Sequence, residues 1–155
     1  MQKEIKVLCS INSGNKMSQD LKISKILVAV DGSDNSMRAV DYAIKLGLRF
    51  DADLIALHVA PGGKYDSEEY LKYTKREYSY LDKIGQKSVT AAVKLEIDVI
   101  TAKSSVVNEI IDYADKKNID LIVIGIRSVS EFRFMLGSTA SGVVINASCP
   151  VLVVK

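Results

Sequence analysis

Five apolar runs punctuate this chain, and they do not share one pattern. Ile26 to Val30 is continuous and rich in β-branched and aliphatic residues, as are Leu121 to Ile124 and Val151 to Val154. Asp53 to Val59 has a polar start and an apolar body. Leu95-Glu96-Ile97-Asp98-Val99-Ile100 instead alternates apolar and polar. Continuous runs suit strands buried on both faces of a parallel sheet, and alternation suits an edge or half-exposed strand. Between the runs the period changes to that of a helix. Met37, Val40, Ile44 and Leu48 recur at helical spacing with Ala39 and Ala43 alongside, and Val107, Ile110, Ile111 and Ala114 do the same. Leu71, Tyr78, Leu81 and Ile84 give an apolar face to a charged stretch from Ser67 to Val89. Asp31, with Ser33 or Asp34, suits the cap of the first helix and Ser104 or Ser105 that of the third, and Lys116-Lys117-Asn118 suits that helix's C-terminus.

These patterns predict strands at 26–30, 54–59, 95–100, 121–125 and 151–154 and helices at 35–49, 67–89, 105–117 and 138–147. Strand and helix alternate throughout. The fold class is therefore α/β: a single doubly wound, Rossmann-like domain over 23–155, with a five-stranded, mainly parallel sheet and right-handed crossovers placing helices on both faces. Residues 1–22 form an N-terminal extension. Ile5 to Ile11 offers a short strand and Asn12 to Asp20 reads as a linker, so the segment is either a poorly ordered extension or an added edge strand or dimer arm. Met17 is an alternative start.

Composition narrows the class without naming a function. The chain has 155 residues, 48% hydrophobic and 26% charged, with a formal charge of +2. One domain with a substantial core is expected, nucleic acid is not a default partner, and no run approaches the roughly 20 residues that span a bilayer. The apolar patch after Met1-Gln2-Lys3-Glu4 is too short for a signal peptide. Cys9 and Cys149 have no metal-ligand spacing and read as reduced thiols of a cytoplasmic protein, with a disulfide as the minor alternative. His58 is the single histidine, so no multi-histidine metal site exists, and a strand-end ring satisfied by its surroundings is the favoured reading over a general base. Five of the seven tyrosines lie between Tyr65 and Tyr80. They suit the core rim of a long amphipathic helix, or else a stacking or partner surface.

The candidate chemistry lies in the last 36 residues. An apolar run stops at Gly125, a polar and basic loop follows, Gly137-Ser138-Thr139 opens a helix, and Val151 to Val154 closes the stretch. A glycine at a strand end allows close approach to the backbone, and N–H groups at a helix start beside small hydroxyls hold an anion. Arg127, Ser128, Ser130 and Arg133 add donors and positive charge. No Gly-x-x-x-x-Gly-Lys-Ser/Thr loop is present, and neither is a triad, a carboxylate dyad or a metal constellation.

This stretch resembles the C-terminal third of the universal stress protein family, whose nucleotide-binding members carry Gly, two residues, Gly, nine residues, then Gly-Ser or Gly-Thr. Here Gly125-Ile126-Arg127 is followed by Ser128 in place of the second glycine, and eight residues, Val129 to Leu136, precede Gly137-Ser138. Cys149-Pro150-Val151-Leu152-Val153-Val154 is similar to the family's final strand, and the resemblance extends over about 24–155. It implies the strand order 3-2-1-4-5, with Asp31 beside adenine and ribose and the backbone of Val59 against the base. The cofactor-binding set it implies is Val30, Asp31, Ser33, Val59, Ile124, Gly125, Arg127, Ser128, Gly137, Ser138 and Thr139, the cofactor being ATP with Mg²⁺ arriving on its phosphates. It also implies a homodimer through Val151–Val154. In that order Asp31 and Gly125 end neighbouring strands, where the crevice of a doubly wound sheet opens.

Three functions follow. One is a dimeric adenine-nucleotide-binding regulator of stress responses with at most slow ATP hydrolysis. The second is a stress protein of the same fold that acts through unknown protein partners without nucleotide. The third is an enzyme of a related nucleotide-binding α/β family: Gly32 to Ser36 weakly resembles the loop of ATP pyrophosphatases, with glycines and serines in a different order. No nucleic acid or membrane partner is expected.

Overall fold

The computed structural model describes residues 22–60, 62, 78–126 and 136–155. The described elements run β1 (Lys25–Ala29), α1 (Asp34–Phe50), β2 (Asp53–Ala60), α2 (Ser79–Ala91), β3 (Leu95–Thr101), α3 (Val106–Lys117), β4 (Leu121–Gly125), α4 (Ser138–Asn146) and β5 (Val151–Val154). The five strands form one sheet in the order β3-β2-β1-β4-β5, all pairs parallel. The continuous apolar runs make its centre. Ile26, Leu27, Val28, Ile122 and Val123 are fully buried, because β1 and β4 are covered on both faces. Burying each such side chain contributes about 1.5–3 kcal/mol.

Strand parity sorts the core into two halves. Ile26, Val28, Val30, Leu54 and Ala56 face α1 and α2, where they meet Val40, Ile44, Leu81 and Ile84. Leu27, Ala29, Ile55, Leu57, Ile122 and Ile124 face α3 and α4, where they meet Ile110, Ala114, Ala140 and Val143. The chain thus winds outward from β1 with helices on one face, crosses over, and winds outward through β4 and β5 with helices on the other. The alternating third run is an edge strand, as its pattern requires: Glu96 and Val99 are exposed.

Helix ends follow local chemistry. Ser33 and Ser105 cap α1 and α3 by accepting from Ser36 and Asn108 N–H, at 3.2 and 3.1 Å. Asn118 closes α3 in the left-handed conformation that asparagine tolerates, at φ 53°. Two expectations change. Leu48 does not join the buried stripe of α1 and is 56% exposed. The stripe rotates to take in Ser36 and Gly47, and an ideal Cβ on Gly47 would lie only 2.9 Å from Leu54 Cδ2, so the helix seats against β2 at that point. The expected helix 67–89 begins at Ser79 among the described residues and runs to Ala91. Tyr78 has left helical geometry, with its ring set edge-on to His58 at 5.0 Å. Leu71, most of the tyrosine cluster, Cys9 and the N-terminal segment lie outside the described residues, as do Ser130 and Arg133.

Cys149 is a free, half-buried thiol beside the start of β5, and burial pushes its pKa up. No described helix is long and apolar enough to cross a membrane.

Candidate functional site

The site is built at the carboxyl ends of β1, β2 and β4. The register pairs Ala29 with Leu57 on one side and with Ile124 on the other. Val30 and Asp31 therefore emerge beside Gly125 and Ile126, and the chain reverses direction outward on either side of that pair. A cavity of about 330 Å³ opens there. That volume lies at the small end of the usual range for small-molecule sites. Its inner wall is apolar, from Leu57, Val59, Ile110 and Ile124, with Val106 above them. Its polar lining is Asp31, Ser36, His58, Ser138 and Thr139.

Side-chain hydrogen bonds hold the turn after β1 and the tip of β4. Asp31 Oδ1 accepts from Ser33 N–H at 3.0 Å and from Ser33 Oγ at 2.6 Å, which folds the Asp-Gly-Ser turn back on itself. Gly32 makes that turn at φ 79°, a conformation that favours glycine. Asn35 Nδ2 donates to Ile126 C=O at 2.8 Å, pinning the start of α1 to the end of β4. Ser36 Oγ donates to Ser33 C=O at 2.9 Å and receives Asp31 N–H at 3.4 Å.

The start of α4 is arranged differently. Its N-cap is Gly137, at φ 60°, which offers no capping side chain. Among the described residues, the first-turn N–H groups of Ser138, Thr139 and Ala140 therefore have no capping side chain of the kind that α1 and α3 have. Gly137 to Ala140 line the cavity, so these donors and the positive end of the helix dipole stand at its mouth.

On the opposite wall, Leu57 C=O accepts Val30 N–H at 2.9 Å. Backbone groups two residues apart in a strand point to the same side. The N–H and C=O of Val59 thus face the same way as those of Leu57, but β1 has already ended there. A donor and an acceptor one peptide apart border the apolar wall.

Eight of the eleven residues singled out from the sequence line this one cavity: Val30, Asp31, Val59, Ile124, Gly125, Gly137, Ser138 and Thr139. Ser33 does not reach its wall. Its hydroxyl is committed to Asp31 and to the N–H of Ser36, so it positions the turn from behind. Arg127 and Ser128 lie outside the described residues. The reason expected for Gly125 also changes. An ideal Cβ there would sit 2.6 Å from the carbonyl carbon and oxygen of Asn35 and 2.8 Å from Ser36 N. What comes close to this glycine is the first turn of α1. Sequence reading missed Ala29, Ser36, Leu57, His58, Val106, Ile110, Ile126 and Ala140 as wall residues. Ser36 carried a signal, as a small hydroxyl one turn into a helix whose neighbours on that face are apolar. Among the described residues, no group of three or more His, Cys, Asp or Glu side chains is placed to hold a metal ion.

The family model that matches this chain, the universal stress protein family, covers residues 22–155. The chain belongs to the universal stress protein family. Universal stress protein MJ0531 of Methanocaldococcus jannaschii is 36% identical over 142 residues, which cover 84% of this chain and 81% of that protein. Universal stress protein YxiE of Bacillus subtilis is 32% identical over 148 residues, covering 85% of this chain and 99% of that protein. Among solved structures, the universal stress protein of Archaeoglobus fulgidus in complex with dAMP superposes with a TM-score of 0.67 at 27% identity, over 86% of this chain and 99% of that one. These likenesses agree with the five-stranded 3-2-1-4-5 sheet as the universal stress protein fold.

Proposed function

We propose that the cavity between β1, β4 and α4 binds an adenine nucleotide, ATP with Mg²⁺ carried on its phosphates, and that residues 23–155 form the binding unit. The observation that carries this reading is that three separate chain segments deliver an apolar slot, a paired backbone donor and acceptor, and an uncapped helix start to one cavity. The dAMP complex of the Archaeoglobus fulgidus relative supports it.

Each part has a matching ligand group. A purine ring fits between Val59, Val106, Ile110 and Ile124. The Val59 N–H suits the N1 acceptor of adenine and its C=O suits the N6 amino group. The keto edge of guanine or hypoxanthine presents donor and acceptor in the opposite order, and each mispairing costs about 1–3 kcal/mol. Asp31 stands at the ribose position. Phosphates meet the N–H groups and hydroxyls of Ser138 and Thr139, with Arg127 and Ser128 on the connecting loop. Charge-assisted bonds of this type contribute about 1.5–3 kcal/mol each, and two of them separate micromolar from millimolar affinity.

The role is regulatory. Hydrolysis is slow at most, since the sequence carries no triad, carboxylate dyad or metal constellation to position an attacking water. The assembly is a cytoplasmic homodimer through β5. That strand ends the sheet with Val151, Leu152 and Val153 half-buried, and Val144 and Ile145 of α4 are exposed beside it at 42% and 78%. An apolar sheet edge needs covering, and a second copy pairs with it across a two-fold axis.

The test is to denature freshly purified protein, analyse the released small molecules by chromatography and mass spectrometry, and titrate the stripped protein with ATP and Mg²⁺ by calorimetry. Released adenine nucleotide or a saturable heat is expected; neither would end the reading. A second reading, action through protein contacts without nucleotide, is favoured by Ser128 and by the eight-residue spacer before Gly137. Inserting one residue after Ser128 together with Ser128→Gly separates the two: tighter ATP binding locates the limitation in the loop, and unchanged affinity removes it. Gel filtration giving a monomer at micromolar concentration would refute the dimer.

A further inference from the structure

His58 is buried, at 6% exposure, on the sheet face opposite the apolar slot, yet it borders the same cavity. Its Nδ1 lies 3.1 Å from Val30 C=O and 2.6 Å from Tyr80 Oη. In the tautomer that carries its proton on Nδ1, that N–H donates to the Val30 carbonyl, which only accepts, and Tyr80 Oη accepts from the same N–H. Tyr80, itself buried, lies under the Asp31–Ser33 turn. Its ring carbons would stand 2.8 and 2.9 Å from a Cβ on Gly32. Tyr78 closes the other side of the imidazole edge-on at 5.0 Å. The ring is thereby fixed by two tyrosines and one backbone carbonyl.

The choice of carbonyl has a consequence for the sheet. In a parallel ladder, a residue that donates to one partner accepts from the residue two further along that partner strand. Val30 N–H donates to Leu57 C=O, so Val30 C=O would next accept Val59 N–H. It accepts from His58 instead, and Val59 N–H has no hydrogen-bond partner among the described residues. Burial ordinarily leaves very few backbone N–H groups unpaired, so this one needs a reason.

We infer that His58 is a positioning residue which takes the Val30 carbonyl out of the β1–β2 ladder and so keeps the Val59 N–H available to the base of a bound nucleotide. The inference rests on the adenine reading for the identity of the ligand, but not for the state of the ladder. The ring sets base selectivity without touching the base, and Tyr80 links that setting to the turn that carries Asp31.

The experiment begins with nucleotide-free, full-length protein in solution NMR. The nitrogen spectrum of His58 is expected to show Nδ1 protonated. The Val59 amide is expected to exchange with solvent about 100-fold faster than the paired amides of β2 on either side. In His58→Phe the Val30 carbonyl returns to the ladder, and exchange at Val59 slows by about tenfold or more, the value of one hydrogen bond. In His58→Asn, whose side-chain amide nitrogen takes the place of Nδ1, it stays fast. An unprotonated Nδ1, a Val59 amide as protected as its neighbours in the wild type, or unchanged exchange in His58→Phe overturns the inference. The first two observations need no variant and decide the matter even where His58→Phe does not fold. Titrations with ATP and inosine triphosphate then read the ligand side. The wild type prefers ATP, His58→Phe loses that preference by about tenfold, and His58→Asn retains it. Equal weakening toward both nucleotides would show a merely structural role. If ATP fails to bind while the exchange pattern is as expected, the adenine reading falls and the carbonyl-capping role of His58 stands.

Discussion

Replacing Gly125 by alanine tests what the glycine is for. The added methyl would meet the carbonyl carbon and oxygen of Asn35 at 2.6 Å and Ser36 N at 2.8 Å. Ordinary van der Waals contact begins near 3.4 Å, so the tip of β4 and the first turn of α1 must part by about 1 Å. None of those atoms belongs to a side chain that swings away. The bond from Asn35 Nδ2 to Ile126 C=O, now 2.8 Å, spans that same gap and is stretched. Overpacking costs about 1–3 kcal/mol, here toward the upper end because backbone must move, and the weakened bond adds about 1 kcal/mol. For a domain of this size each kcal/mol lowers Tm by about 2–4 °C, so nucleotide-free Gly125→Ala, at about 3–4 kcal/mol, should melt about 6–16 °C below the wild type. Circular dichroism melts and urea titrations measure this directly. If the glycine were needed only for the approach of a ligand, the stripped variant would melt within about 2 °C of the wild type and lose affinity alone, and the packing argument would be refuted.

Gly85→Ala should act in the opposite sense. The position is inside α2 and its nearest neighbour to a new Cβ is Ile97 Cδ1 at 3.8 Å, so the helix gains about 0.5–1 kcal/mol and Tm rises by about 1–4 °C in the same melt. Ser33→Ala removes the α1 cap and the hydroxyl that donates to Asp31, which should cost about 1 kcal/mol in urea unfolding. Tyr113 donates to Asp98, and burial together with that carboxylate, with Glu96 adding to it, raises the phenol pKa well above the tyrosine range. The folded state therefore prefers the protonated phenol. Its contribution is complete below about pH 10 and falls as pH climbs toward the folded pKa. The difference between the spectrophotometric titrations of the wild type and Tyr113→Phe should show Tyr113 ionising late, and Tyr113→Phe should flatten the loss of stability on the alkaline side; an unchanged alkaline slope would count against the Asp98 contact.

The order of elements was legible because the two periods are cleanly separated. Leu121 to Ile124 and Val151 to Val154 allow no helical reading at their length, and the strands they predict match those observed at 121–125 and 151–154. The alternation from Leu95 to Ile100 also told its position, since only an edge strand tolerates Glu96 and Asp98 two residues apart. The lining of the candidate site was legible where a residue carries its own local signal: an acid ending a buried strand, a glycine ending another, and Gly-Ser-Thr before a helix. It was not legible where the role depends on a partner distant in sequence. Leu48 lost its place because Gly47 lets α1 settle on Leu54, and the neighbour of Gly125 is 90 residues earlier in the chain. Val106 and Ile110 read as ordinary helix core, and only the crossover of β1 and β4 turns that face toward a cavity.

The same reasoning explains why the crevice stays open. A parallel sheet tends to extend its ladder until one strand runs out, and collapse of apolar walls such as Leu57 and Ile124 would be favourable. Side chain to backbone bonds oppose both tendencies at the strand tips. Asn35 holds the end of β4 against α1, Ser33 and Ser36 hold the turn after β1 through Ser36 N–H and Ser33 C=O, and His58 occupies the carbonyl through which β1 and β2 would otherwise zip. Each bond alone contributes only about 1 kcal/mol. They act at the few peptides where the ladder and the cavity compete, so a small energy decides which backbone groups remain for a ligand. Short polar residues placed directly after long apolar runs are the sequence form of that arrangement: the runs build the sheet, and the residues behind them set where it stops.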